Sequence, residues 1–483
     1  MARGTQWAVD IGDSRDLSRF LNPFVDGGGV MKKPKIVCAG MCNTKSIEIR
    51  YLAQQVAEFG GEPVVMDLSL GEAVDWADVP LAEVLATTGV EVGAVYAAHR
   101  SEAIELVGRA AAKKVLEMHE AGQCEGIISW AGSVGTTTTT RAMRALPFGV
   151  PKIMLTDMAS SDVSMWMGNK DIYFVNPTAE QGINVVTTKI VRSACAGIVA
   201  MARVQEVQQA SRPLAAITSY GVTTPTVLRC ARALEARGWD CAMFHAVGAG
   251  ATMEDLIRSG MITAVLDLTP GELTNNLFGS PYGTPRTWEG VRLTAASEIG
   301  IPQIVVPGGL DQCAHGAFDK LPERYKEDFR TGVRQDFRGT GKPYLHNDAV
   351  TVMVPTLEEV AAITRTIAGL LNRTQGPTAF VIPMRGWSAY DQPAELASRD
   401  RGWPEGNGDG PTWQPDPSNP KWSRRATLML DIMHEELDAT KVGLISADNH
   451  ILDVEFAELL NQQMALMLDG AWLPDTCASG SNR

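Results

Sequence analysis

Between residues 35 and 447, short apolar runs recur, most of them opening into a stretch whose apolar residues keep helical spacing. Runs of this kind lack polar alternation, so the strands they form are buried on both faces. Such strands belong in parallel sheets covered by crossover helices. The runs in the first half are 35–40, 63–68, 126–130 and 152–156, with helical stretches such as 44–59 and 102–121 between them. A polar stretch, 205–213, interrupts the pattern. It resumes with 214–220, 240–246, 262–268, 302–307, 350–355, 378–384 and 441–447. The expected architecture is α/β, with two Rossmann-like domains of mainly parallel sheets and flanking helices. One domain spans 32–205 and carries the anion or nucleotide site; a second spans 214–470. Residues 1–31, rich in Gly and Asp, read as an N-terminal arm. Two stretches read as insertions: 324–343, dense in charge, and 400–420, dense in Gly, Pro, Asn and Trp.

Composition narrows the function class. The chain has 483 residues, 45% hydrophobic and 20% charged, enough for full cores. Its net charge of −13 argues against bulk nucleic-acid binding, which draws its affinity from a basic surface. No window reaches the roughly 18–20 apolar residues of a bilayer span, and residues 1–31 hold no uninterrupted apolar core of a secretory signal. The eight cysteines are scattered without a CxxC pair and read as reduced thiols of a cytoplasmic protein.

Ligands of doubly wound sheets gather beyond the carboxyl ends of strands, where turns and helix starts present backbone N–H groups. Two turns fit. The run ending at Ala39 passes into Gly40-Met-Cys-Asn-Thr-Lys45 and a helix carrying Glu48. Gly40 permits a tight exit, Asn43 and Thr44 can cap the helix, and Lys45 offers a mobile cation. The run ending at Trp130 passes into Ala131-Gly-Ser-Val-Gly-Thr136. Gly132 and Gly135 admit a close anion, and Ser133 and Thr136 supply hydroxyls. The five threonines 136–140 suit a helix start better than its interior. Neither turn is a Walker loop or a GxGxxG dinucleotide fingerprint, and either alone is also how an ordinary βα loop is built. A third loop, 156–162, brings Ser160 and Asp162; the latter suits a water-held magnesium ion or an N-cap.

Taken in order, the motifs resemble a family of ATP-binding proteins related to the N-terminal inhibitory region of a plant tobamovirus-resistance protein. The resemblance is carried by Gly40 to Glu48, Gly132-Ser133-Val134-Gly135-Thr136, Leu146 to Lys152 and Met158-Ala159-Ser160. It continues through Tyr220 to Pro225, Phe244 to Gly250 with Glu254, Leu266 to Thr269 with Glu272, and Pro307 to Asp311. His346-Asn347, Ile382 to Ser388 with Asp391, and His450 to Asp453 complete it over about residues 35–465. The resemblance implies ATP with Mg2+ as the ligand, held by Gly40, Asn43, Thr44, Lys45, Gly132, Ser133, Gly135, Thr136, Ala159 and Ser160. It also implies a dimer or higher homo-oligomer, for which the arm and the Trp-rich insertion are natural exchange elements. The chain departs from the family pattern at Asn43, where an acidic residue is usual, and at Cys42 and His315.

In the second half, polar residues again collect past strand ends. His245, Glu254, Glu272, Asp311, His315 and His346 are the candidates for catalysis, since a His beside a carboxylate takes and returns a proton near neutral pH. The three histidines with Asp311 or Glu272 would also suit a divalent metal. Trp288, Trp387, Trp403, Trp413 and Trp422 read as staples of the loops, with an aromatic pocket as the alternative. Cys42 and Cys313 read as buried, inert thiols. Three functions stay open: an enzyme acting on a small anionic metabolite in an interdomain cleft with ATP bound, a hydrolase or lyase with a carboxylate in the phosphate seat, and a non-enzymatic ATP-responsive binding protein.

Overall fold

The computed structural model describes residues 33–72, 74–204, 212–283, 292–334, 343–396 and 408–474, and they fall into two compact units that divide between residues 204 and 212. The apolar runs account for each unit's core. Along β1 (Lys35–Gly40), Val37 and Ala39 face one side of the sheet while Ile36 and Cys38 face the other, and all four are fully buried. The first side is covered by the helices Arg100–Glu120 and Ser133–Ala145, the second by Ser46–Glu58 and Val185–Arg203. A strand apolar on both faces therefore sits between two helical layers.

The first unit's other strands are β2 (Glu62–Asp67), β3 (Gly126–Trp130), β4 (Lys152–Leu155) and β5 (Tyr173–Val175). All pairings are parallel, in the order β2-β1-β3-β4-β5. The chain moves outward from β1 to β2 and then returns to the far side of β1, so β1 and β3 flank the point where the winding reverses. In doubly wound sheets that crevice is where ligands bind.

The second unit contains β6 (Leu214–Ser219), β7 (Asp240–His245), β8 (Ala264–Asp267), β9 (Gln303–Val305), β10 (Cys313–His315), β11 (Tyr344–Asn347), β12 (Val350–Met353), β13 (Thr378–Pro383) and β14 (Val442–Ala447). Six form a parallel sheet in the order β14-β13-β9-β8-β6-β7. Its first five strands in sequence repeat the winding of the first unit. The helices Thr224–Ala236 and Val454–Leu468 cover one face through Val227, Leu234, Phe456 and Leu460. The helices Leu357–Leu371 and Arg424–Glu436 pack on the other.

Two sequence expectations need correction. The run 350–355 does not extend the parallel sheet: β12 pairs antiparallel with β10 and β11 in a separate three-stranded sheet. Strand β11 is largely exposed, and only tertiary pairing distinguishes this ribbon from the buried runs. The helix Val185–Arg203 is long and apolar enough to cross a bilayer, with mean hydropathy 1.5, contrary to the expectation of no such window. It packs Val191, Cys195, Ile198 and Val199 against the sheet. Of the expected insertions, 323–331 forms a helix and 408–420 is irregular. The arm, Trp288 and Trp403 lie outside the described residues.

Candidate functional site

The two glycine-bearing turns leave β1 and β3, which are hydrogen-bonded neighbours at the switch point. They touch: a Cβ on Gly135 would come 3.5 Å from Met41 Cγ and 2.5 Å from Ala131 Cβ. The helix Ser133–Ala145 begins with Gly132 at its N-cap, which has no side chain to cap it. Among the described residues, the N–H groups of Ser133, Val134 and Gly135 have no main-chain acceptor. A helix start of this kind favours a negative partner. Threonines 136–140 run on into the second turn of this helix, against the expectation that they mark only its start. They are tolerated because Thr136, Thr137, Thr138 and Thr140 return their hydroxyls to the carbonyls four residues earlier. Thr136 Oγ1 also lies 2.8 Å from Thr156 Oγ1 and the residue is fully buried, so its hydroxyl is engaged inside the protein.

At the first turn the structure revises three expectations. The helix starts at Ser46 with Lys45 at the N-cap, so neither Asn43 nor Thr44 caps it. Asn43 and Thr44 are exposed, and the Asn43 N–H donates to Ser69 Oγ at 3.1 Å. Lys45 is not mobile: it is 4% exposed, and its Nζ donates to the Glu180 carbonyl at 2.7 Å and lies 3.6 Å from Glu180 Oε1. That carboxylate rests on the second turn, since a Cβ at Gly132 would come within 2.6 Å of Glu180 Oε1. Glu48, also buried, accepts from Gly182 N at 2.9 Å and ties the 180–182 segment over the turn. In the third loop, Ala159 is half-buried and the exposed Ser160 donates to the Asp157 carbonyl. Asp162 accepts from Ser164 N at 2.9 Å, which holds its carboxyl below the usual range.

The carboxylate candidates of the second unit lie in two buried clusters. Glu254 and Glu272 belong to one buried cluster with Asp267 and Arg292. Arg292 NH2 meets Asp267 Oδ1 at 2.8 Å, its Nε meets Glu272 Oε2 at 2.8 Å, and its NH1 lies 3.6 Å from Glu254 Oε1. Burial opposes the guanidinium charge, but Asp267 and Glu272 outweigh it and raise its affinity for the proton. Burial also pushes the Glu254 carboxyl up, while Arg292 and the N–H groups of Ala295 and Leu293 pull it down. A side chain at position 250 would collide with Glu272 and Arg292, so only glycine lets this helix approach them.

Asp311 belongs to a second cluster, past the ends of β9 and β13. Its Oδ2 accepts from Ser388 Oγ at 2.7 Å and Thr412 Oγ1 at 2.8 Å, and burial raises its carboxyl above the usual range. Asp391 accepts from Trp387 N and Ser423 Oγ, with Arg425 NH1 3.9 Å away. Burial, then the Asp311 charge, lifts the Asp391 carboxyl to about 7. Arg425 also donates to the Thr412 carbonyl, and His450 Nε2 lies 3.1 Å from the Asp391 carbonyl.

The three histidines differ in their surroundings. His245 is exposed at the end of edge strand β7, its ring 5.7 Å from that of Tyr220. His315 is buried, with Nδ1 accepting from Gly316 N at 2.8 Å, and burial followed by Arg324 lowers its proton affinity. His346 is exposed, 3.4 Å from Tyr390 Oη. Among the described residues no three His, Cys, Asp or Glu side chains group as metal ligands. Trp387 is buried and Trp422 Nε1 donates to Asp448 Oδ1 at 2.8 Å, which ties its loop down; Trp413 is half-buried. Cys42 and Cys313 are buried, and burial pushes both thiols up.

Sequence reasoning missed Glu180, Arg292 and Arg425 as participants. The available signal was indirect: acidic residues closing buried strands require a cation nearby, which the sequence does not locate.

The chain matches the profile of the Uncharacterised protein family (UPF0261) N-terminal domain over residues 34–207, and that of its C-terminal domain over residues 212–401. A UPF0261 protein of Clostridium tetani is 31% identical over 440 residues, covering 90% of this chain and 99% of its own. A UPF0261 protein of Rhizobium meliloti is 34% identical over 360 residues, 74% of this chain and 85% of its own. The ToMV resistance protein Tm-1(GCR237) of Solanum lycopersicum is 26% identical over 452 residues, 88% of this chain and 55% of its own.

Proposed function

For this chain, which belongs to the UPF0261 family, we propose that the first unit binds the phosphate of a nucleotide, ATP with Mg2+, at the turns 40–45 and 131–136. The observation that carries the reading is the placement of both turns on adjacent strands at the winding reversal, with the buried Lys45 closing the first of them. The residues fit an oxyanion. Gly132 leaves a cradle that a Cβ would fill, the N–H groups of Ser133, Val134 and Gly135 have no main-chain acceptor, and Lys45 supplies the charge. Bound there, ATP would supply a phosphoryl group or a binding signal; the chain's own residues hold its phosphate and keep it dry. Asn43, Thr44, Ser133 and Ser160 are exposed at the rim and would contact the remainder of the ligand.

A second reading is favoured by a specific contact. Glu180 already rests a carboxylate against Gly132, so a carboxylate metabolite would also fit the seat. Under either reading we infer an enzyme that acts on a small anionic metabolite. The Glu254–Glu272–Arg292 and Asp311–Asp391–Arg425 clusters tie together the loops around their strand ends.

Thermal melting of the full chain with saturating Mg-ATP tests the nucleotide reading. Ligand at a hundredfold over Kd adds about 2.7 kcal/mol to the native state, a rise of several degrees. An unchanged melting temperature with ATP, together with a rise in the presence of a dicarboxylate, would favour the second reading.

A further inference from the structure

Lys45 is buried to 4% exposure, and a lysine withdrawn from water needs an acceptor or an opposite charge. Glu180 supplies both, its carbonyl at 2.7 Å and its Oε1 at 3.6 Å from Nζ. The same Oε1 lies at the mouth of the Gly132 turn, where a Cβ would approach it to 2.6 Å. One carboxylate thus sits on both halves of the seat that an oxyanion ligand would take.

We propose that Glu180 is a resident competitor that sets the affinity a ligand must exceed to occupy the seat: its carboxylate holds the place of the ligand's oxyanion and must be turned out for binding. This rests on the oxyanion reading of the seat. The contacts separate the segment from its side chain. The segment is pinned just beyond residue 180, by Gly182 N to Glu48 Oε1 at 2.9 Å and Thr187 Oγ1 to the Gly182 carbonyl at 2.7 Å. The Glu180 side chain itself is 52% exposed, and its ion pair with Lys45 is long. The carboxylate can therefore swing into solvent while the segment and the Lys45 contact to its main chain remain.

An affinity threshold follows from the competition. A monocarboxylate ligand would offer Lys45 and the helix start no more charge than Glu180 does, and without the advantage of being tethered. A phosphate group brings nearly twice the charge and more acceptor oxygens. Turning Glu180 out costs every ligand the same factor, so phosphate esters and polyphosphates stay bound while monocarboxylates fall below measurable binding until Glu180 is neutralised.

Isothermal titration of the full chain with inorganic phosphate, Mg-ATP and acetate tests this, using wild type, Glu180→Gln and Glu180→Ala. Melting temperatures of the unliganded proteins check that the exposed substitution leaves the fold intact. Both variants are expected to bind phosphate and ATP on the order of tenfold more tightly than wild type and to gain acetate binding. Equal or weaker ATP binding by the variants, with wild type binding normally, overturns the competitor role and leaves the seat standing. Absence of phosphate and ATP binding in all three proteins overturns the seat itself, and the competitor with it.

Discussion

Arg292 and Glu272 face each other at 2.8 Å with both side chains fully withdrawn from solvent, and Asp267 and Glu254 surround the same guanidinium. Replacing this arginine leaves three buried carboxylates without a counter-charge. Arg292→Leu is expected to cost about 3–5 kcal/mol, the range for breaking a buried ion pair. Arg292→Lys should recover only part of it, because an ammonium cannot reach Asp267 and Glu272 with one planar fork. Urea unfolding measures both; a loss under 1 kcal/mol in the leucine variant would show that the cluster is not holding the loops.

The second cluster has a pH signature. Asp391 faces Asp311, Arg425, Ser423, the Trp387 N–H and, at its carbonyl, His450, and its carboxyl is lifted to about 7. A carboxyl raised above its unfolded value of about 3.9 keeps a proton that the unfolded chain has lost. Its stabilisation is therefore complete below about pH 4 and is lost as pH rises through about 7. The unfolding free energy of wild type minus that of Asp391→Asn should fall between these limits, by at most about 1.4 kcal/mol per pH unit, and level off above. Denaturant titrations across that range check the slope. A difference that rises with pH contradicts the assignment.

Gly132→Ala separates binding from folding. The added methyl meets only the end of the half-exposed Glu180 side chain, so stability should change by less than about 1 kcal/mol. Access of an oxyanion to the first N–H groups of the helix should be blocked, raising the Kd for ATP at least about tenfold. Titration calorimetry alongside chemical unfolding distinguishes the two effects, and intact ATP affinity would remove Gly132 from the site.

Thiol chemistry provides a check on the interior. Cys38, Cys42, Cys124, Cys195, Cys230 and Cys313 are buried, and burial pushes their thiols up, those of Cys124, Cys195 and Cys230 to about 12. In a Cys477→Ser background, a small disulfide reagent at pH 8 should modify Cys241 ahead of these six, which await unfolding. Fast labelling of Cys42 or Cys313 would mean that the neighbouring turns open readily.

The parallel strands other than β5 were legible because each is a continuous apolar run; β1 and β3 match the expected bounds, and the others lie within one or two residues. Strands β5, β10 and β11 escaped notice. The first two span only three residues, and the third is mostly exposed, so neither leaves an apolar signature. The turns were legible as glycines beyond strand ends. The state of Lys45 was not, since a lysine in a polar loop reads as exposed until a segment 135 residues away covers it. The grouping of the histidines was not legible for a similar reason: residue type announces proton chemistry, while convergence depends on packing.

The most direct measurement is the structure of the full chain crystallised with Mg-ATP. Phosphate density at the N–H groups of Ser133, Val134 and Gly135, beside Lys45 and with Glu180 turned outward, is the result expected. Nucleotide density at another place on a fully loaded protein, with Glu180 still resting on Gly132, would contradict it.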